Sequence, residues 1–164
     1  MSRSNIFACD IDNTVSCQYE RFRRFYDSKA NIVMPQAFEE REIMKDVPMP
    51  GSIDAIARIS KIFKIVWITA RHADQYDMTQ RWLKKNGFHI DDLILVEKIN
   101  AKIPILIQLN PYVYVDDMKY DYINMDPKMM TEFVKQLDDS GIRYEIFNNN
   151  WREIADKYLN MIGK

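Results

Sequence analysis

Two hydrophobic periods alternate along this chain. Short, nearly unbroken apolar runs predict buried strands, and stretches with apolar residues at three- and four-residue spacing predict helices. The runs are residues 5–9, Lys64-Ile65-Val66-Trp67-Ile68-Thr69, Leu93-Ile94-Leu95-Val96, Tyr112-Val113-Tyr114-Val115 and Arg143 to Phe147. A helix is predicted over 17–27, where Tyr19, Phe22, Phe25 and Tyr26 would share one face. Another covers roughly 53–63, with Ser52 as its cap and Asp54 in its first turn. A third runs from about Ala73 to Asn86 and is stopped by Gly87. A short helix follows over roughly 101–109, Asp126-Pro127 opens one that closes near Gly141, and 151–162 forms the last. Residues 28–50, with prolines at 35, 48 and 50, read as irregular.

Repeated strand–helix alternation predicts an α/β fold, a Rossmann-like three-layer sandwich with a central parallel sheet covered on both faces. The length fits one domain over 1–164, with a short cap-like insert at about 15–50. Ligands of such sheets bind at the carboxyl ends of the strands. Here the first strand runs into Asp10, the second ends at Thr69 and the fourth runs into Asp116-Asp117. Lys102 opens the helix that feeds the fourth strand. Carboxylates, a hydroxyl and a lysine are thereby predicted on one edge.

Composition narrows the class without naming a chemistry. Hydrophobic residues make up 47% and charged residues 29%, as in globular domains, and the formal net charge of −1 gives no general attraction to nucleic acid or anionic membrane. No apolar run approaches the roughly 20 residues that span a bilayer, and the N-terminus lacks a signal-peptide pattern. Two cysteines, Cys9 and Cys17, argue against a disulfide framework. A reducing, cytoplasmic setting is the expectation, with no membrane and no obligate protein partner.

The segment Asp10-Ile11-Asp12-Asn13-Thr14 carries the sharpest chemistry. Residues i and i+2 of a strand share a face, so extended backbone past Cys9 would project Asp10 and Asp12 together. Paired carboxylates repel until a cation or a shared proton relieves them. Hard oxygen donors suit magnesium. His72 and His89 cannot make a zinc site by themselves. Cys17 and Arg23 match the C-x5-R spacing of cysteine phosphatases, but that loop lacks the preceding His and the internal glycine.

The chain resembles the haloacid dehalogenase-like hydrolase superfamily, specifically its phosphatases. Asp10-Ile11-Asp12-Asn13-Thr14 is similar to the first motif, with Asn13 where Gly is commoner. Thr69 in Ile68-Thr69-Ala70-Arg71 is similar to the second, Lys102 or Lys98 to the third, and Val115-Asp116-Asp117-Met118-Lys119-Tyr120-Asp121 to the fourth. The resemblance implies a magnesium-dependent phosphomonoesterase. Asp10 would be the nucleophile that becomes an aspartyl phosphate, and Asp12 the acid and base. Thr69 and the lysine would donate to the phosphoryl oxygens, while Asn13, Thr14, Ala70 and Arg71 would line the substrate. Metal binding falls to Asp10, Asp12, Asp116, Asp117 and Asp121, the last being equally well a solvated loop acid. Pro104 is tolerated only in a first helical turn, which favours Lys102 over Lys98 as the lysine.

Substrate choice should come from the insert. A short insert implies an open site, and Arg21, Arg23 and Arg24 lie among aromatics there, a combination that suits a phosphate beside a base ring. The plainer reading is an amphipathic helix with solvated arginines. Tyr76-x-Met78-Thr79-x-x-Trp82-Leu83 looks like the corresponding helix in the phosphatase half of phage-type polynucleotide kinases and in capless deoxyribonucleotidase-like members. Three substrate expectations follow: a phosphorylated small molecule of nucleotide type, acted on in the manner of a 5′(3′)-nucleotidase; a nucleic-acid 3′ end; or no reaction, with the fold serving as a binding module.

Overall fold

The computed structural model describes residues 3–119 and 127–162. Five parallel strands form the central sheet. In chain order the elements are β1 (Ile6–Cys9), α1 (Tyr19–Arg24), β2 (Tyr26–Asp27), β3 (Ile32–Val33), α2 (Glu40–Ile43), α3 (Ser52–Ile59), β4 (Lys64–Thr69), α4 (Tyr76–Lys85), β5 (Asp92–Leu95), α5 (Lys102–Leu109), β6 (Val113–Asp116), α6 (Pro127–Asp139), β7 (Tyr144–Ile146) and α7 (Trp151–Ile162). The strand order is β5-β4-β1-β6-β7, so β1 is central and the chain crosses from one side of it to the other between β5 and β6.

Strand parity divides the core into two layers. Phe7, Cys9, Ile65, Trp67, Val113 and Val115 face one layer, filled by Ala55, Ile56 and Ile59 of α3, Trp82 and Leu83 of α4, and Ile154, Ala155 and Tyr158 of α7. Ala8, Val66, Ile68 and Tyr114 face the other, filled by Ile103 and Leu106 of α5 and Phe133 and Leu137 of α6. The molecule is a Rossmann-like three-layer α/β sandwich, as the alternation predicts. No helix among the described residues is long and apolar enough to cross a membrane.

The segment 17–50 departs from expectation. In place of a helix over 17–27, α1 stops at Arg24 because Phe25 leaves helical geometry and Tyr26–Asp27 pairs antiparallel with Ile32–Val33. Tyr19 and Tyr26 remain 47% and 44% exposed, so the four aromatics do not share a buried face. Pairing within a short hairpin overrides the helical period here. The stretch expected to be irregular contains β3, a 3-10 turn at Pro35–Phe38 and α2. Phe22, Val33 and Ala37 make a small core of their own, with Phe25 packed against it. Ser52 does not cap α3. Gly51, at φ +78°, takes that position, and the Ser52 hydroxyl donates instead to the Met49 carbonyl.

Candidate active site

The carboxyl ends of β1, β4 and β6 converge where ligands bind in open parallel sheets. The ladder continues one residue past β1, with the Asp10 amide donating to the Val115 carbonyl at 2.9 Å. The chain then turns sharply. Thr14, Val15 and Ser16 all donate backbone N–H groups to the Ile11 carbonyl. Asn13 sits at φ +59°, a left-handed conformation that Asn tolerates better than most residues.

Asp10, Thr14, Lys102, Tyr114, Asp116 and Asp117 form one buried network. The Lys102 ammonium donates to Asp10 Oδ1 at 2.7 Å, to Asp116 Oδ2 at 2.9 Å and to the Tyr114 hydroxyl at 2.9 Å. The Tyr114 hydroxyl donates to the same Asp116 oxygen. On the far side of Asp10, the Thr14 hydroxyl donates to Oδ2 at 3.2 Å while accepting the Asp117 amide at 3.0 Å. Asp116 Oδ1 accepts the Met118 amide at 2.8 Å. Carboxylate oxygens of Asp10, Asp116 and Asp117 all lie within 4.8 Å of one another.

One ammonium faces three buried carboxylates, and the imbalance sets their protonation. Burial pushes Asp10 up to about 7 despite Lys102 beside it. Burial and the neighbouring Asp116 and Asp10 push Asp117 up to about 9. Asp116 goes the other way: burial is outweighed by Lys102 and by the hydrogen bond from Tyr114, which hold it below the ordinary range. Such a cluster has the hard oxygen donors and the surplus negative charge that a magnesium ion relieves.

Asp12 belongs to a second, adjoining arrangement. Arg71 grips it with Nε at 2.9 Å and with Nη2, and directs Nη1 to the Thr79 hydroxyl at 3.0 Å. Thr79 in turn donates to the Gln75 carbonyl. The Thr69 hydroxyl approaches Asp12 at 3.4 Å. Burial alone would raise the Asp12 carboxyl, but the Arg71 charge and hydrogen bonds hold it below its usual value. The Asp12 side chain keeps 20% of its surface in solvent, against 7% for Asp10.

The structure thus brings together Asp10, Asp12, Thr14, Thr69, Arg71, Lys102, Asp116 and Asp117. Ala70 is half-buried between Thr69 and Arg71, and Asn13 directs its amide toward Gln18 at 3.4 Å. Lys102 reaches the cluster, whereas Lys98 is exposed. Asp121 lies outside the described residues. Arg23 and Arg24 are solvent-exposed and pair with Glu20 and Glu42 rather than with the site's acids. The buried arginine of that helix is Arg21, which clamps Asp46 with Nε at 3.0 Å and donates to the Ala37 carbonyl. Trp82 Nε1 donates to the Asp46 carbonyl, locking the insert onto α4.

Three participants escaped the sequence. Tyr114 reads as strand core, although its i, i+2 spacing from Asp116 was a usable signal. Thr79 enters the sequence reading only through the resemblance of its helix, with no role at Arg71. Asp46 is separated from Arg21 by 25 residues in a segment without periodicity.

The sequence matches the model of no protein family and the sequence of no curated protein. The fold does have solved counterparts. A chain in the "Structure of the Pnkp1/Rnl/Hen1 RNA repair complex" aligns at 12% identity with a TM-score of 0.57, covering 87% of this chain and 42% of that one. A chain in the "Structure of Pnkp1/Rnl/Hen1 complex" aligns at 14% identity with a TM-score of 0.56, covering 90% and 48%. The present chain spans less than half the length of these counterparts, and what it shares with them is the fold.

Proposed function

We propose that this chain is a phosphomonoesterase of the haloacid dehalogenase-like kind, acting on phosphorylated 3′ ends of nucleic acids. The observation that carries the reaction class is the buried Asp10–Lys102–Asp116 network, with Asp117 beside it, at the ends of β1 and β6. The likeness of fold to chains of an RNA repair complex supports a nucleic-acid end over a free nucleotide as substrate.

Asp10 is oriented from both sides, Oδ1 by Lys102 and Oδ2 by Thr14, as a nucleophile must be. Its carboxylate attacks phosphorus, and the bond from phosphorus to the 3′ oxygen breaks. Asp12, the more exposed of the pair, gives its proton to the departing oxygen. It then takes a proton from the water that attacks the aspartyl phosphate, releasing inorganic phosphate and regenerating Asp10. In the free chain Arg71 holds Asp12 below the ordinary range, so Asp12 would serve as proton donor only once an incoming phosphate draws Arg71 away from it. Lys102 and Thr69 stabilise the charge that builds on the phosphoryl oxygens. Asp10, Asp116 and Asp117 would hold magnesium, which when bound screens the nucleophile's charge from that of the phosphate.

The test is a comparison of 3′-phosphorylated oligonucleotides, nucleoside monophosphates and hexose phosphates, each with magnesium and with chelator. Oligonucleotide ends should be hydrolysed at least about tenfold faster than hexose phosphates, equivalent to roughly 1.4 kcal/mol of barrier. Faster turnover of mononucleotides than of oligonucleotide ends would move the reading to a nucleotidase. No hydrolysis of any phosphomonoester would remove it.

A further inference from the structure

We infer that Tyr114 is a positioning residue for phosphoryl transfer, its phenolic oxygen fixing the Lys102 ammonium between Asp10 and Asp116. The inference rests on the phosphatase reading and adds to it a residue that touches none of the reacting atoms.

Lysine is a poor aiming device by itself. Its ammonium rides on a flexible four-carbon stem and can donate in three directions. With no substrate present all three directions are taken, by Asp10, Asp116 and Tyr114, so a phosphoryl oxygen takes over the direction of a carboxylate while Tyr114 keeps hold of the ammonium. Two of these partners are carboxylates at the ends of strands. The third is an oxygen on a rigid ring in the core. Tyr114 is fully buried, and its register neighbour on β1 is Ala8, whose small side chain leaves room for the ring. Ala8, Tyr114 and the first turns of α5 share one layer. The ring therefore stands on the face from which Lys102 enters.

The hydroxyl does two things at once. It accepts from Lys102 and donates to Asp116 Oδ2, which also accepts from Lys102. These three groups close a triangle that neither phenylalanine nor leucine could make. A strand position needing only apolar bulk would not call for a phenol, because a buried hydroxyl must find partners. Here its partners are the lysine and an acid of the site.

The experiment is Tyr114→Phe in the full chain, which keeps the ring and removes the oxygen. Three quantities are read: kcat and KM on a 3′-phosphorylated oligonucleotide, the thermal midpoint, and the Lys102 ammonium resonance by 15N NMR, assigned by its loss in Lys102→Met. The expected result is a kcat lowered about tenfold or more with KM within about twofold, since the lost contact acts on the transition state rather than on binding. The ammonium resonance should shift or broaden through exchange. An unchanged resonance overturns the inference, as does a kcat within twofold of wild type. A fall in midpoint with kcat preserved also overturns it and leaves only a structural role. If the wild-type chain hydrolyses no phosphomonoester, the phosphatase reading falls and the resonance alone decides whether Tyr114 anchors the lysine.

Discussion

Lys102 Nζ lies 2.7 Å from Asp10 Oδ1 across 92 residues of sequence. Two local facts produce this meeting. Asp10 is the first residue beyond the central strand, and Lys102 is the first residue of the helix that leads into the strand beside it. The pair is buried, so removing Lys102 leaves the carboxylates without their cation, whereas removing Asp10 leaves Lys102 paired with Asp116.

Lys102→Ala should therefore lower phosphatase turnover by two orders of magnitude or more, in the range of losing a main transition-state donor (~10²–10³). Lys98→Ala, at an exposed position, should stay within about twofold of wild type. Steady-state kinetics on both variants check this, and the opposite pattern would transfer the role to Lys98.

Asp12→Asn should abolish turnover while leaving the fold intact by circular dichroism. Asparagine keeps the shape but cannot carry the proton. It also weakens the grip of Arg71. Wild-type-like turnover in this variant would exclude Asp12 as acid and base.

The acids predict a pH-dependent effect of magnesium on stability. Asp10 and Asp117 lie at about 7 and about 9 in the folded protein, above the ordinary 3.8. Between pH 4 and 9 the folded chain then binds more protons than the unfolded one, so these two groups make stability fall as pH rises through that window. Asp12 and Asp116 are depressed and act oppositely, their contribution being lost only as pH falls below the ordinary carboxylate range. A cation replaces the protons. Magnesium should thus raise the thermal midpoint more at pH 8.5 than at pH 6, measured against chelator at each pH. Equal shifts at the two values would speak against a magnesium site at these carboxylates.

Arg21 and Arg23 should separate cleanly. Arg21 is buried on Asp46 and the Ala37 carbonyl, and Arg21→Ala strands the Asp46 charge, a change that typically costs about 3–5 kcal/mol. Arg23→Ala removes a largely solvated side chain 3.7 Å from Glu20 and should change stability by less than about 0.5 kcal/mol. Denaturant unfolding of the two variants reads the contrast.

Much of this was legible in the sequence because the sheet is built from continuous apolar runs. Each run points at its last residue or the one just after it, so Asp10, Thr69 and Asp116 could be put on one edge from parity and chain order. Lys102 was separable from Lys98 because Pro104 fixes where its helix can begin. The insert was not legible in the same way. Its fold depends on the pairing of Tyr26–Asp27 with Ile32–Val33 and on the Arg21–Asp46 bridge, contacts that no local period encodes. Tyr114 was hidden for another reason: an aromatic in a buried strand looks like packing until its hydroxyl is seen between Lys102 and Asp116.

The central claim is that Asp10 takes the phosphoryl group. Rapid acid quenching of the chain during turnover of a 3′-phosphorylated oligonucleotide with magnesium, followed by peptide mass spectrometry, tests it directly. The account predicts a single phosphoryl adduct on Asp10, absent from a folded Asp10→Asn variant that releases no phosphate. Undiminished phosphate release by Asp10→Asn, with no adduct on Asp10 in the wild type, would contradict it.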